Sequence, residues 1–80
     1  MEYKIMRMLC MFDLPVELPE EKKAYREFRK NLIKEGFTMM QYSVYIRTCP
    51  SREYGLRLEK RVKKFAPPKG NISLISITEK

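Results

Sequence analysis

Residues 3 to 12, YKIMRMLCMF, decide the fold, because large apolar side chains occupy both alternating sets of positions in this stretch. Ile5 and Leu9 stand at odd positions, and Met8 and Phe12 at even ones. Successive side chains of a strand point to opposite faces, so a strand that is apolar on both faces belongs in the middle of a well-packed sheet. We therefore predict a first strand that lies inside a sheet.

The residues after this strand and its proline-rich loop predict an amphipathic helix over 20–35. Pro19 suits a first helical turn, and the two glutamates that follow it suit the positive end of the helix dipole. Tyr25, Phe28 and Leu32 recur at helical spacing and form an apolar face. The remaining face is basic and carries Lys22, Lys23, Arg26, Arg29, Lys30 and Lys34.

Gly36 ends this helix, and residues 37 to 49, FTMMQYSVYIRTC, predict strand structure because they are rich in aromatic and β-branched side chains. Thirteen residues are long for one strand. We therefore favour a strand over 37–41 that turns through Gln41 and Tyr42 into a strand over 43–49. A single bent strand is the alternative.

A second amphipathic helix is predicted after Pro50, in SREYGLRLEKRVKKF, residues 51 to 65. Apolar residues follow Tyr54 at offsets of four, eight and eleven, which places them on one helical face. Gly55 weakens this helix slightly. The apolar face consists of Tyr54, Leu58, Val62 and Phe65, and the basic residues are Arg52, Arg57, Lys60, Arg61, Lys63 and Lys64.

The end of the chain predicts a turn and a closing strand. APPKGN, residues 66 to 71, cannot continue a helix because prolines interrupt it. ISLISIT, residues 72 to 78, places Leu74 on one face of a strand and Ile75 on the other. The first and last strands are thus both apolar on two faces.

The order β-α-β-β-α-β predicts an α+β, ferredoxin-like fold, with an antiparallel sheet and two helices on one face. The 80 residues form one domain, 1–80, and a chain of this size buries only about 60% of its unfolded surface, so its stability as a monomer is marginal. Two helices leave the other sheet face bare although it is apolar. We therefore expect a homodimer in which two such faces pack together.

The net charge of +7, from 17 basic and 10 acidic residues, favours an anionic partner, either nucleic acid or a negatively charged membrane surface. A lysine-rich, solvated surface is the alternative. No stretch approaches the roughly 20 apolar residues of a membrane span, and the N-terminus lacks the features of a signal peptide. Cys10 and Cys49 have no metal-ligand spacing, and the chain has no histidine. We expect a soluble, cytoplasmic protein with reduced thiols and no membrane partner.

Asp13, at the end of the first strand, is the only aspartate of the chain. One interpretation is structural, since aspartate is common in turns. The other is a Mg²⁺ ligand, because Mg²⁺ takes one or two protein carboxylates and completes its shell with water and phosphate. A two-fold axis would bring two Asp13 carboxylates together, and a proton or a divalent cation would relieve their repulsion. Asp13 is thus the candidate metal ligand and catalytic residue.

Other catalytic patterns are missing. There is no histidine base, no nucleophile elbow and no glycine-rich phosphate loop, so hydrolysis would have to rest on metal-activated water. Whether the protein is an enzyme stays open at this point. The basic helical faces are candidates for contacts with a duplex backbone that do not depend on sequence. The candidate nucleic-acid-binding residues are Lys22, Arg26, Arg29, Lys30, Arg52 and Lys69, with Arg47 as a further extension.

A single-stranded RNA-binding module is a third possibility, because such modules share this topology. They stack bases on aromatic residues of the central strands. Tyr42 and Tyr45 could act in this way, but tyrosines on a strand are more often packing residues. The basic-aromatic motif of these modules is absent, so we rank this hypothesis third.

Three segments together resemble the family of CRISPR-associated protein 2, in the form found in systems with a single large effector nuclease. They are MRMLCMFDLP, KAYREFRKNLIKEGFTMMQYSVYIR and PPKGNISLISITEK, and they span nearly the whole chain. The resemblance implies a ferredoxin-like homodimer in which the last strand of each subunit extends the partner's sheet. It also implies that Asp13 can hold Mg²⁺ at the dimer interface.

For function, the resemblance implies a role in CRISPR adaptation. The dimer would bridge two dimers of CRISPR-associated protein 1, the spacer integrase, and hold double-stranded DNA during spacer acquisition, with the terminal ITEK as a candidate contact. The alternative is a Mg²⁺-dependent endonuclease that cleaves single-stranded RNA or double-stranded DNA through paired Asp13 residues.

Overall fold

The computed structural model describes residues 5–79, which contain four strands and two helices in the predicted order. The elements are β1 (Ile5–Asp13), α1 (Pro19–Lys34), β2 (Thr38–Gln41), β3 (Val44–Cys49), α2 (Arg52–Phe65) and β4 (Asn71–Glu79). The ferredoxin-like α+β prediction is therefore confirmed. Tyr3 and Lys4, predicted at the start of the first strand, and Lys80 of the predicted integrase contact lie outside the described residues.

The sheet has the strand order β2-β3-β1-β4, and every neighbouring pair is antiparallel. β1 lies inside the sheet, with β3 on one side and β4 on the other. Leu9, for example, faces Ile46 across one pair and Ile75 across the other. The predicted interior position of the first strand is therefore confirmed.

The hydrophobic core lies between the sheet and the two helices. Met8, Cys10 and Phe12, the even positions of β1, are buried in it together with Tyr45 of β3. The Phe12 ring stacks on Tyr45 at a centroid distance of 5.6 Å and meets Phe28 of α1 edge-on at 5.0 Å. The helices contribute Phe28, Leu32, Leu58 and Val62 to the core. Both helices thus cover the same face of the sheet, as predicted.

Helix α1 begins and ends one residue earlier than predicted, at Pro19 and Lys34. Its N-terminus is held by Glu21, whose Oε1 accepts hydrogen bonds from the backbone N–H groups of Leu18 (2.9 Å) and Glu17 (3.1 Å). The helix stops before Gly36, which adopts a φ of +93°. Most residues avoid this left-handed conformation and glycine does not, so Gly36 ends the helix as expected.

The predicted division of residues 37–49 into two strands is confirmed. β2 ends at Gln41 and β3 begins at Val44, so Tyr42 and Ser43 form the turn. The pairing shifts between Met39 and Gln41, which marks a bulge in β2. One long bent strand is therefore excluded.

Gly55 in α2 is buried against β1 and has a packing role that its helix propensity does not reveal. A Cβ at this position would lie 3.0 Å from Sδ of Met6. The absent side chain lets Met6 approach the helix closely. The helix itself begins after Ser51, whose Oγ accepts a hydrogen bond from the backbone N–H of Tyr54 at 3.1 Å.

The sheet face opposite the helices carries the odd positions of β1 and their neighbours, and we call it the open face. Met11, Ile75 and Ile77 retain exposed fractions of 41%, 43% and 40% on it. Its apolar residues are Leu9, Met11, Val44, Ile46, Ile75 and Ile77. Neither α1 nor α2 packs on this face, so the apolar surface that the sequence predicted is present.

Candidate functional site

Asp13 is the last residue of β1 and is exposed on the open face, because the preceding Phe12 points into the core. The β1–β4 register places Asn71 directly opposite Asp13, and Ser73 opposite Met11. These side chains border a shallow cavity of about 290 Å³, which Ser43 and Val44 also line. We call it the Asp13 cavity. The carboxylate thus lies in a strand pair, just before the loop begins.

Backbone contacts hold the end of β1 in place. The N–H of Phe12 donates a 3.0 Å hydrogen bond to the carbonyl oxygen of Ser43. On the other side, Gly70 has a φ of +102°, and a Cβ there would lie 2.7 Å from the carbonyl oxygen of Asp13 and 2.6 Å from Cδ2 of Leu14. Only glycine satisfies both the conformation and the close approach. The turn before β4 therefore packs directly against the backbone of Asp13.

The polar side chains around the Asp13 cavity offer oxygen ligands: one carboxylate from Asp13, one amide from Asn71 and hydroxyls from Ser43 and Ser73. This donor set suits a hard cation such as Mg²⁺ and does not suit a soft metal. Among the side chains that the structure describes, those of residues 6–78, no three histidine, cysteine, aspartate or glutamate groups come together. One chain therefore supplies a single carboxylate here, and the rest of a Mg²⁺ shell must come from neutral oxygens, water or a second chain.

Neither cysteine contributes to the Asp13 cavity. Cys10 and Cys49 are free thiols buried in the core, so the prediction of reduced cysteines agrees with the structure. Burial raises the pKa of the Cys10 thiol to about 12. Burial also raises the pKa of Cys49, and the positive charge of Arg47 partly opposes this rise. Both thiols are therefore small apolar core groups near neutral pH.

Four of the predicted nucleic-acid-binding residues lie together on the exposed surface of α1. They are Lys22, Arg26, Arg29 and Lys30, and all four are exposed. Lys69 is also close to α1, since it lines an apolar cavity together with Glu20 and Tyr25 of the first turns. The four α1 residues form one basic region, which we call the α1 basic surface. Lys69 lies beside Glu20 and Glu21 in the apolar cavity, which none of these four basic residues lines, so the structure does not join Lys69 to this surface.

Arg52, by contrast, lies apart from the α1 basic surface. It lines a cavity between α2 and β4, together with Met6 and Thr78, and no residue of α1 lines this cavity. Met6 is near the start of β1, whereas Asp13 and Lys69 are at its opposite end. The sequence grouped Arg52 with the α1 cations, and the structure does not bring them together.

Arg47 and the two candidate stacking tyrosines, Tyr42 and Tyr45, differ in their contacts and in their exposure to solvent. The guanidinium of Arg47 donates from Nε to the carbonyl oxygen of Glu35 and from Nη2 to the hydroxyl of Tyr54, both at 2.7 Å, so it ties β3 to both helices. Tyr45 is fully buried and cannot stack on a base. Tyr42 is 83% exposed at the β2–β3 turn. Of the two tyrosines, only Tyr42 is accessible to a ligand.

Comparison with known proteins shows which family the chain belongs to. A family model described as CRISPR associated protein Cas2 matches residues 6–80. The chain belongs to the Cas2 family. This membership confirms the resemblance drawn from the sequence, and the matched range includes Asp13 and every strand and helix except the first residue of β1.

Three relatives of the Cas2 family show how far the similarity extends, and each carries the name CRISPR-associated endoribonuclease Cas2. The protein of Ligilactobacillus salivarius is 53% identical over 75 residues, which are 94% of this chain and 74% of that protein. The Streptococcus mutans protein is 48% identical, over 94% of this chain and 69% of its own length. The Lacticaseibacillus rhamnosus protein is 43% identical, over 92% and 73% respectively.

Ser43, Asn71 and Ser73 are the residues of the Asp13 cavity that the sequence did not single out. In the sequence, KGN of PPKGNISLISITEK contributes only to the family resemblance. Each residue is far from Asp13 in the chain, and only the strand register and the β2–β3 turn place it next to the carboxylate.

Proposed function

We propose that this Cas2 protein is a homodimeric, basic scaffold that binds double-stranded DNA and bridges the integrase, CRISPR-associated protein 1, during spacer acquisition in the cytoplasm. The observation that carries the proposal is the open face. Its central residues Leu9 and Ile46 and the exposed Ile75 form a contiguous apolar surface on a protein whose other sheet face is already covered. A second copy that packs on this surface removes it from water.

The charge of the chain supports the nucleic-acid part of the proposal. Each chain carries +7, so a dimer carries twice this charge and presents two α1 basic surfaces. Lysine and arginine on an exposed helix contact phosphates without reading bases, which suits a protein that holds spacers of any sequence. Residues 5–79 contain no helix that is both long enough and apolar enough to cross a bilayer.

The dimer is tested by sedimentation velocity on the wild type and on two matched variants. Ile75→Lys places a charge on the open face, and Ile33→Lys makes the same change on α1, where Ile33 is 51% exposed. We expect the wild type and Ile33→Lys to sediment as dimers and Ile75→Lys to dissociate. A monomeric wild type, or a dimer that Ile75→Lys leaves unchanged, would contradict packing through the open face.

The scaffold role is tested by spacer acquisition in cells. If the role is architectural, Asp13→Asn still dimerises, binds the integrase and supports acquisition, because it keeps the size and hydrogen-bonding groups of the side chain. A variant in which glutamine replaces every lysine and arginine of the α1 basic surface should no longer support spacer acquisition. Loss of acquisition in a folded, dimeric Asp13→Asn would argue against a purely architectural role.

A second candidate function is a Mg²⁺-dependent phosphodiesterase that cleaves single-stranded RNA or double-stranded DNA, and the Asp13 cavity favours it. Asp13 there lies among neutral oxygen donors, and oxygen atoms are the ligands that Mg²⁺ prefers. The relatives' name, endoribonuclease, points the same way. In this case Asp13 holds the cation and a second chain supplies a second Asp13. Bound Mg²⁺ would make a water molecule a stronger nucleophile near neutral pH.

The phosphodiesterase candidate is tested with the same Asp13→Asn variant. Cleavage of RNA or duplex DNA by the wild type should require Mg²⁺, and it should disappear when Asp13 loses its charge. The exposed Glu53 of α2 provides a control, since Glu53→Gln removes one carboxylate outside the Asp13 cavity. Activity that survives Asp13→Asn would assign the cleavage to another site or to a contaminating nuclease.

A further inference from the structure

The Asp13 cavity contains a second side chain whose position is defined as closely as that of the carboxylate. Asn71 is the first residue of β4 and faces Asp13 directly in the β1–β4 register. Directly opposed residues of an antiparallel pair point to the same face, with Cβ atoms about 5 Å apart. Because Ile72 packs against the core, Asn71 lies on the open face with Asp13. Both side chains are exposed and border the same cavity.

A single carboxylate is a weak holder of Mg²⁺. The cation requires an octahedral shell of oxygens and keeps several waters, and these waters need hydrogen-bond partners of their own. Outer-shell partners typically change metal affinity roughly 10-fold to 100-fold. In the Asp13 cavity, Ser73 pairs with Met11, one step further along the face, and Ser43 belongs to a turn. Asn71 is therefore the neutral side chain placed directly across from the carboxylate.

We infer that Asn71 is a positioning residue for Mg²⁺ bound at Asp13. Its amide N–H groups can donate to the Asp13 carboxylate, and its carbonyl oxygen can accept from a metal-bound water. Both functions orient the ligands without adding charge. This inference rests on the Mg²⁺ site of the second candidate function and names a residue beyond the lone aspartate on which that candidate depends.

The strand pairing gives Asn71 a fixed place before any cation binds. Gly70, directly before it, packs on the Asp13 backbone with no room for a Cβ. Pairing between β1 and β4 then continues from Asp13 and Asn71 to Ile5 and Glu79. The backbones of Asp13 and Asn71 are thus held opposite each other by the strand pair, which keeps the two side chains within reach of one another.

The experiment measures binding of Mg²⁺ alone, by isothermal titration calorimetry and by the rise in melting temperature with Mg²⁺, in the absence of nucleic acid. Three variants carry the test. Asn71→Ala removes the amide, Asn71→Asp replaces it with a carboxylate of the same size, and Asn31→Ala is a control at the chain's other asparagine, which lies in α1. Sedimentation of each variant shows that the oligomeric state is unchanged.

If Asn71 positions the cation site, Asn71→Ala weakens Mg²⁺ binding about 10-fold or more, and Asn71→Asp tightens it, because a second carboxylate attracts the cation. Asn31→Ala binds Mg²⁺ as the wild type does. Opposite directions for alanine and aspartate separate a metal-related role from a structural one, since structural damage would weaken binding in both.

Two results would overturn this inference alone: wild-type affinity in Asn71→Ala, or weaker binding in both Asn71 variants. Asp13→Asn separates these from a failure of the underlying proposal. If Asp13→Asn abolishes Mg²⁺ binding while Asn71→Ala leaves it intact, the metal site stands and the role of Asn71 falls. If Asp13→Asn binds Mg²⁺ like the wild type, or the wild type binds none, the Mg²⁺ site itself falls and the inference with it.

Discussion

The Nε of Arg29 donates a 2.7 Å hydrogen bond to the hydroxyl of Tyr45, and this bond joins the α1 basic surface to the core. Tyr45 is fully buried in β3, and its hydroxyl needs a polar partner. Arg29 lies on the exposed side of α1 and supplies that partner. The bond fixes one edge of the guanidinium, so the position of a candidate phosphate contact depends on a core residue.

Removal of the Tyr45 hydroxyl should weaken the protein modestly. We expect Tyr45→Phe to lower the free energy of unfolding by about 1 kcal/mol, the usual net contribution of one hydrogen bond, while the ring keeps its packing on Phe12. Urea denaturation measures the change. Tyr42→Phe is the control, since Tyr42 is 83% exposed and should unfold like the wild type. Equal stability of both variants would show that the bond contributes nothing.

Gly70 should tolerate no side chain. In Gly70→Ala a Cβ would meet the carbonyl oxygen of Asp13 at 2.7 Å, with a φ that is strained for alanine. We expect a loss of roughly 2 kcal/mol or more, because backbone strain of this type costs about 1–3 kcal/mol before the contact is counted. Thermal and urea unfolding measure the loss.

Gly36→Ala is a suitable comparison for Gly70→Ala. Gly36 also has a positive φ, but the nearest atoms to its Cβ belong to the Arg47 side chain, at 2.8 Å, and a side chain can move more easily than a carbonyl group. Gly70→Ala should therefore be the more destabilising change. The reverse order would mean that the β1 end adjusts readily and that the tight turn does not hold Asp13.

Stability should fall in alkaline solution because of Cys10. Its folded pKa is about 12 against an ordinary value of 9.0, so the native state keeps a proton that the unfolded chain releases. The contribution is fully present below pH 9 and is lost as pH rises towards 12, by about 1.4 kcal/mol per pH unit. Urea midpoints at several pH values between 9 and 11 measure the slope.

Cys10→Ala separates this effect from the titration of tyrosines and lysines in the same range. The variant removes the thiol from a fully buried site, so its stability is lower than that of the wild type below pH 9, but its decline above pH 9 should be shallower, so that the difference between the two proteins narrows. Parallel pH curves for the two proteins would mean that the Cys10 thiol ionises with little penalty in the folded state.

Duplex DNA binding should depend steeply on salt and on α1. The logarithm of affinity is expected to fall by about 0.9 per log unit of salt for each phosphate neutralised. Arg26→Gln, on α1, should weaken binding and reduce this slope by about one such contact per chain. Arg52→Gln should have little effect on DNA affinity, because Arg52 lines the cavity between α2 and β4 and lies apart from the α1 basic surface. Fluorescence anisotropy with a labelled duplex at several salt concentrations measures both.

Two outcomes of the salt experiment would contradict electrostatic binding of duplex DNA by the α1 basic surface. Binding that does not respond to salt would remove the electrostatic account altogether. A larger effect of Arg52→Gln than of Arg26→Gln would move the interface from α1 to the cavity between α2 and β4, where Arg52 lies with Thr78.

Much of the fold could be predicted from local patterns. The two apolar faces of residues 3–12 predicted an interior strand, and β1 is indeed flanked by β3 and β4. Proline before the first helix and glycine after it marked the helix ends to within one residue. These features are local because a strand or helix face is defined by residues close in the chain. Gly55 was the exception, since its close contact with Met6 of β1 depends on packing between distant segments.

The amino-acid sequence by itself determined the order of elements, the central strand, the basic helices and the lone Asp13, because each depends on residue type and short-range spacing. Only the tertiary structure decided which residues accompany them. The antiparallel register places Asn71 opposite Asp13, although 58 positions separate them in the chain. The packing of α1 on the sheet allows Arg29 to donate a hydrogen bond to Tyr45. The position of α2 separates Arg52 from the basic residues of α1. Strand register and helix placement depend on many contacts between residues that are distant in the chain. They therefore cannot be derived from any short segment of sequence.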